Sequence, residues 1–170
     1  HFQEAVRLAP HHAGAQANLC SVLVRLGRPA EALLPGETAV RLRPDSAEAH
    51  VNLATALAAL GRPAEALGHF EEALRLQPEA ADVRGAITTT SLKLGNRAVG
   101  AGDFAGAIAR YRRALELDPG HIAARTNLAN ALLLSGRTDE AIALYRQILG
   151  QRPDDARVRE NLARALELKR

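Results

Sequence analysis

Between residues 47 and 60 the apolar positions follow a helical period: Val51, Leu53, Ala54 and Leu57 fall on one face, with polar residues between them. Gly61 follows, a residue that can take positive φ and so end a helix. Pro63 stands where a new helix starts, because a first-turn N–H has no helical acceptor to lose. A second stripe of Ala66, Leu67, Phe70, Ala73, Leu74 and Leu76 runs up to Pro78, which stops it. The pattern predicts two helices, with linkers too short for anything but antiparallel neighbours.

The same pattern returns along the chain. Pro10, Pro44, Pro78, Pro119 and Pro153 are spaced 34, 34, 41 and 34 residues apart. Gly27, Gly61, Gly102 and Gly136 are spaced 34, 41 and 34, and Ala32, Ala66, Ala107 and Ala141 keep the same intervals. Three markers with one period and one shared interruption define an all-α array. It divides into a half repeat at 1–12, repeats at 13–46, 47–80, 81–121 and 122–155, and a capping helix at 156–170. Units in such a stack are stabilised mainly by their neighbours. The last helix reads as a cap because Arg157, Arg159, Glu160, Arg164, Glu167, Lys169 and Arg170 keep it wet.

Two irregularities stand out. The third full unit carries seven extra residues, nearly two α-turns or about 700° of rotation. An insertion of that size lengthens a helix while keeping its face. Val83, Ile87, Ser91, Leu94 and Ala98 stay on one stripe, so one long helix is expected from about Ala81 to Ala101. Thr88, Thr89, Thr90 and Ser91 oppose it with poor helix propensity. The second irregularity is Pro35-Gly36 inside a second helix. An interior proline costs roughly 3 kcal/mol and a glycine about 1, so a kinked, less stable repeat is expected there.

Composition narrows the function classes. With 170 residues, 47% of them apolar, the chain can bury a core and is not a disordered tail. No apolar run reaches the roughly 18 residues of a membrane span, and no signal-peptide pattern opens the chain. The net charge of +3 is spread over interspersed Arg and Glu, without a basic block, so no nucleic-acid partner is expected. Cys20 has no second cysteine to pair with, compatible with a reducing, cytoplasmic setting. The chain begins at His1, lacks Met and opens on what reads as the middle of a helix, as a fragment of a longer protein would.

The repeat resembles the tetratricopeptide repeat over essentially the whole chain. The family's Leu-Gly slots hold Leu19-Cys20, Leu53-Ala54, Leu94-Gly95, Leu128-Ala129 and Leu162-Ala163. Its second-helix aromatic is Phe2, Phe70, Tyr111 or Tyr145, and its late small residue Ala5, Ala39, Ala73 or Ala114, with Ile148 the exception. The family's Trp slot departs, holding Gln16, His50, Ser91, Arg125 or Arg159. The resemblance implies a right-handed superhelical solenoid whose first helices line a concave face.

On those first helices Asn18, Asn52, Asn127 and Asn161 each precede the repeat's Leu; in the lengthened unit the place falls to Ala86 or Lys93. Asn has mediocre helix propensity, so its return calls for a reason. An amide both donates and accepts, and a row of amides at one pitch could bond an extended peptide backbone at about 1 kcal/mol each. This is similar to the asparagine ladder in the superhelical repeats of O-linked N-acetylglucosamine transferases and kinesin light chains. The alternative is structural, the amides capping or bridging helices. Ser21, Arg25, Val51, Thr55, Lys93, Asn96 and Asn130 are the expected neighbours of a bound peptide.

No catalytic, cofactor or metal constellation is legible, so an enzyme is not expected within the chain. His11, His12 and His121 share the inter-repeat turn, without the spacing of a tetrahedral zinc site. Cys20 occupies a small packing slot and reads as buried and inert. The leading expectation is a protein–protein interaction scaffold holding an extended peptide or partner segment. The alternatives are self-association through the open ends of the stack, or a substrate-recruiting part of a larger enzyme such as a glycosyltransferase.

Overall fold

The computed structural model describes residues 11–169, and among them the secondary structure is entirely helical. The helices are α1 (Ala13–Arg25), α2 (Pro29–Leu42), α3 (Ala47–Ala59), α4 (Pro63–Leu76), α5 (Ala81–Gly100), α6 (Phe104–Leu117), α7 (Ile122–Leu134), α8 (Thr138–Gln151) and α9 (Ala156–Leu168). They fall into two compact units, one up to Thr90 and one from Ser91. In the first, α1 packs on α2 and α3 on α4, while α3 also touches both helices of the preceding pair. In the second, α7 packs on α6 and α8, and α9 on α8 and α7. The half repeat expected at 1–12, with its Phe2 and Ala5, lies almost entirely outside the described residues, as does Arg170.

Local chemistry sets the helix ends. Gly27, Gly61, Gly102 and Gly136 have φ of 72°, 73°, 76° and 80°, the left-handed conformation that closes the first helix of each pair. The next residue's N–H then reaches back: Arg28 N bonds Leu23 O at 2.9 Å, and Arg137 N bonds Leu132 O at 2.9 Å. At the inter-repeat turns the polar residues are N-caps. His12, Ser46, His121 and Asp155 each accept a backbone N–H three residues ahead. The turn histidines thus have a structural use beyond solvation.

The recurring small residues define the packing. Ala32, Ala66, Ala107 and Ala141 are all 0% exposed, and the late slot is equally closed whether it holds Ala39, Ala73, Ala114 or the larger Ile148. Residues sixteen apart match in size across each pair. Gly95 faces Tyr111, and the small residues Ala54 and Ala129 precede Phe70 and Tyr145 by the same interval in sequence. Where the aromatic slot is Gly36, a Cβ added there would lie 3.0 Å from Cys20 Sγ and 3.1 Å from Leu53 Cδ1. Cys20 and Leu53 therefore fill the space an aromatic takes elsewhere.

The kinked, less stable repeat expected at Pro35-Gly36 does not interrupt its second helix. α2 is helical without interruption from Pro29 to Leu42, with Pro35 and Gly36 buried inside it. Close packing against Cys20 and Leu53 holds the turn that Pro35 deprives of one backbone bond. The long helix is found as expected, one residue shorter at its end, Ala81–Gly100. Burial offsets the weak propensity of the Thr run: Val83, Ile87, Thr88, Thr90 and Ser91 are buried, and Thr88 Oγ1 donates to Arg84 O at 2.9 Å. In α9 only Val158 and Ala165 are buried.

His50, 6% exposed, sits in the Trp slot between α3 and α4. Its Nε2 lies 3.1 Å from Pro44 O and its Nδ1 3.0 Å from His69 Nδ1. A carbonyl only accepts, so His50 carries its proton on Nε2, and its Nδ1 accepts from His69. Burial first, then repulsion from His50 once that ring is protonated, holds His69 below the ordinary histidine value, against the pull of Glu65 and Glu37.

A folded-state value below the unfolded one means that the native chain binds fewer protons. Stability should be complete above the unfolded value of 6.5 and fall as the pH drops below it. Urea midpoints measured from pH 8 to pH 5 should decline across that window, and His69→Gln should flatten the decline.

Two glycines of α5 should respond oppositely to alanine. At exposed Gly85 an added Cβ meets nothing within 4 Å, so Gly85→Ala should stabilise by about 0.5–1 kcal/mol. At Gly95 it would lie 2.5 Å from Tyr111 Cε1, and overpacking of about 1–3 kcal/mol outweighs the helix gain. Chemical denaturation should move the midpoint up for the first and down for the second.

Candidate peptide-binding site

The expected binding residues occupy two slots three residues apart on the first helices. One slot holds Asn18, Asn52, Lys93, Asn127 and Asn161; the other holds Ser21, Thr55, Asn96 and Asn130. In the second unit they form a repeating link. Asn127 Nδ2 donates to Asn96 Oδ1 at 3.2 Å, and Asn161 Nδ2 donates to Asn130 Oδ1 at 3.1 Å. Each acceptor also receives a phenol from the second helix of its own repeat: Tyr111 OH to Asn96 Oδ1 at 2.7 Å, and Tyr145 OH to Asn130 Oδ1 at 2.6 Å.

The first unit is built otherwise. Asn52 Nδ2 donates to the backbone carbonyl of Ala17 at 3.1 Å. Thr55 Oγ1 bonds back to Val51 O at 2.7 Å. The aromatic slot there is Gly36 or Phe70, so no phenol is present to pin Ser21 or Thr55. Asn18, Arg25 and Lys93 are exposed, while Ser21 and Val51 are half-buried.

Three of the four ladder amides therefore bridge neighbouring repeats through Nδ2. A single bond of this kind uses one of the two amide protons and leaves Oδ1 over. The bridging role foreseen as an alternative is thus compatible with a ligand on the same amides. The tyrosine links escaped the sequence reading, yet a signal existed. Fifteen residues before Tyr111 and Tyr145 stand Asn96 and Asn130, whereas before Phe70 and Gly36 stand Thr55 and Ser21. An asparagine accompanies each phenol and is missing where the phenol is missing.

Burial raises the Tyr111 and Tyr145 phenols above their ordinary value, with Arg164 opposing slightly at Tyr145. Both remain donors at neutral pH. The Cys20 thiol, 0% exposed, is pushed up to about 11 by burial and carries no thiolate chemistry.

Two cavities of the second unit open beside the linked amides. One of about 240 Å³ is lined by Asn96, Asn127 and Asn130 with Val99, Tyr111 and Leu134. The other, of about 470 Å³, lies between the turns that precede α7 and α9 and shares Asn127 with the first. Among the described residues no cluster of three or more His, Cys, Asp or Glu side chains could hold a metal ion. Among the same residues no helix is long and apolar enough to cross a membrane.

Helix pairs of this length, closed by left-handed glycines and packed through alanines, define a repeat solenoid. Family models of the tetratricopeptide repeat match residues 13–33, 45–120 and 98–166, and the chain belongs to that repeat family. It is similar in fold to YrrB, described as a TPR protein with an unusual peptide-binding site. That match has 23% identity and a TM-score of 0.64, over 99% of this chain and 83% of that one. MamA matches at 23% identity and TM-score 0.63, over 92% and 81% of the two chains. A tetratricopeptide repeat protein from Parabacteroides merdae matches at 21% identity and TM-score 0.58, over 96% and 62%. No curated protein matches the sequence. At these identities the likeness is one of fold.

Tyr145→Phe should remove one hydrogen bond at a half-buried amide and destabilise by about 1 kcal/mol. The readout is the urea midpoint, together with faster exchange of the Asn161 side-chain amide protons. Phe70→Leu lacks such a bond to lose and should leave that exchange unchanged.

Proposed function

We propose that the chain is a protein-interaction scaffold that holds an extended peptide, or an extended segment of a partner, along its first-helix face. One observation carries the reading. Asn127 and Asn161 return at one repeat spacing, each fixed through Nδ2 by an asparagine of the preceding repeat. An anchored amide has already lost its rotamer freedom, so its remaining proton and Oδ1 meet a ligand with less entropic cost. Peptide backbone offers a donor and an acceptor at every residue, which suits amides repeated at a fixed pitch. The cavity beside Asn127, lined by Val99 and Leu134, would take a small apolar side chain of the same segment. Leu134 is 55% exposed at its rim.

Selection of binders from a displayed random octapeptide library, followed by calorimetry on the best synthetic peptide, tests this. Asn127→Ala and Asn161→Ala should each weaken that peptide by about 1 kcal/mol, roughly fivefold. Circular dichroism should show helicity retained in both. Unchanged affinity in both variants would sink the amide mechanism. Light scattering at several concentrations separates peptide capture from self-association.

A further inference from the structure

The first unit holds a pair of rings that the groove reading leaves unused. His50 lies on α3 and His69 on α4, with their Nδ1 atoms 3.0 Å apart. Their ring centres are 5.2 Å apart. His50 is 6% exposed, while half-buried His69 keeps part of its surface in solvent.

One nitrogen of the pair has a structural use. Six residues after the turn prolines stand Gln16, His50, Arg84, Arg125 and Arg159. Arg84 donates to Pro78 O through Nη2 at 2.8 Å, and Arg125 donates to Pro119 O. His50 serves Pro44 O in the same way through Nε2. That duty leaves its Nδ1 and the whole of His69 unexplained. The places equivalent to His69 hold Pro35, Arg110 and Leu144, so among the four full repeats only this one has both histidines.

The bond to Pro44 also prepares the ring chemically. A histidine that ligates a metal through one nitrogen normally donates its other N–H to a carbonyl or carboxylate, which fixes the tautomer. His50 is already fixed so, with its proton on Nε2 and its Nδ1 lone pair directed at His69. His69 offers its own Nδ1 once the proton there moves to Nε2.

The distances agree with a shared ion. Two imidazoles on one tetrahedral zinc, at Zn–N of about 2.0–2.1 Å, have nitrogens about 3.3 Å apart and ring centres about 5.2 Å apart. The ring centres here already have that separation. The nitrogens fall about 0.3 Å short of it, so re-aiming the rings, rather than parting the helices, admits the ion. Charge favours it as well. Glu37 and Glu65 attract a positive charge on His69, and Glu72 responds to one on His50. Glu65 and Glu72 are held by Arg62 and Arg75, whereas Glu37, on α2, stands outside those two pairs.

We propose that His50 and His69 form a two-histidine site for Zn²⁺, with water in the other coordination positions. Imidazole suits zinc and its neighbours rather than the hard Mg²⁺ or Ca²⁺. Two protein ligands make an open, exchangeable site instead of a closed structural one. The ion joins α3 to α4 within one repeat, and its binding energy adds to the stability of the first unit.

Zinc chloride, titrated at neutral pH into the untagged, metal-stripped whole chain, tests this through the imidazole nitrogen resonances. Those of His50 and His69 Nδ1 should shift and saturate at one Zn²⁺ per chain. His69→Gln should weaken binding at least about tenfold, the scale that even an outer partner of a metal ligand carries. His50→Gln should do the same. Glutamine already fills that slot as Gln16, so the result does not hang on a single variant folding. Saturating zinc should raise the urea midpoint of the unaltered chain and leave that of His69→Gln in place. Shifts confined to the other histidines would mean surface chelation only and overturn the site. Affinity unchanged in both variants would overturn it too. Equal shifts with magnesium chloride would make charge, not nitrogen ligation, responsible and count equally against it.

Discussion

Everything in this fold depends on how closely the two helices of a repeat approach. At Ala32, Ala66, Ala107 and Ala141 no surface remains exposed, so a side chain larger than a methyl would force the pair apart. Dense packing leaves little room to relax. The sixteen-residue pairs show how that space is divided. A glycine at 95 admits the ring of Tyr111, and a glycine at 36 is answered by Cys20 and Leu53. Helix propensity yields to this constraint: Pro35 and the Thr88–Ser91 run stay helical because their neighbours enclose them.

The same close approach brings the phenols of the second helices to the asparagines of the first. Tyr111 and Tyr145 reach Asn96 and Asn130, which then hold Asn127 and Asn161 of the following repeat. Packing within a repeat thus fixes polar groups between repeats. A solenoid is stable through its nearest-neighbour interfaces, and these links place hydrogen bonds at those interfaces within the second unit. The first unit has one amide-to-carbonyl bond instead, from Asn52 to Ala17. The two units share a pattern of apolar residues but differ in polar connection.

Charge is distributed by the same logic. Arg28, Arg62 and Arg137, each just before a second helix, are matched to a glutamate three residues on, an exposed pairing of small energetic consequence.

The period, the left-handed glycine turns and the length of the extended helix were legible in the sequence, because each follows from residue type and spacing along one chain. The effect of Pro35 was not, since its outcome depends on Cys20 and Leu53 arriving from other helices. The four asparagines could be picked out as a series, but their partners could not. Hydrogen bonds between repeats depend on distances across an interface, and sequence spacing does not measure those.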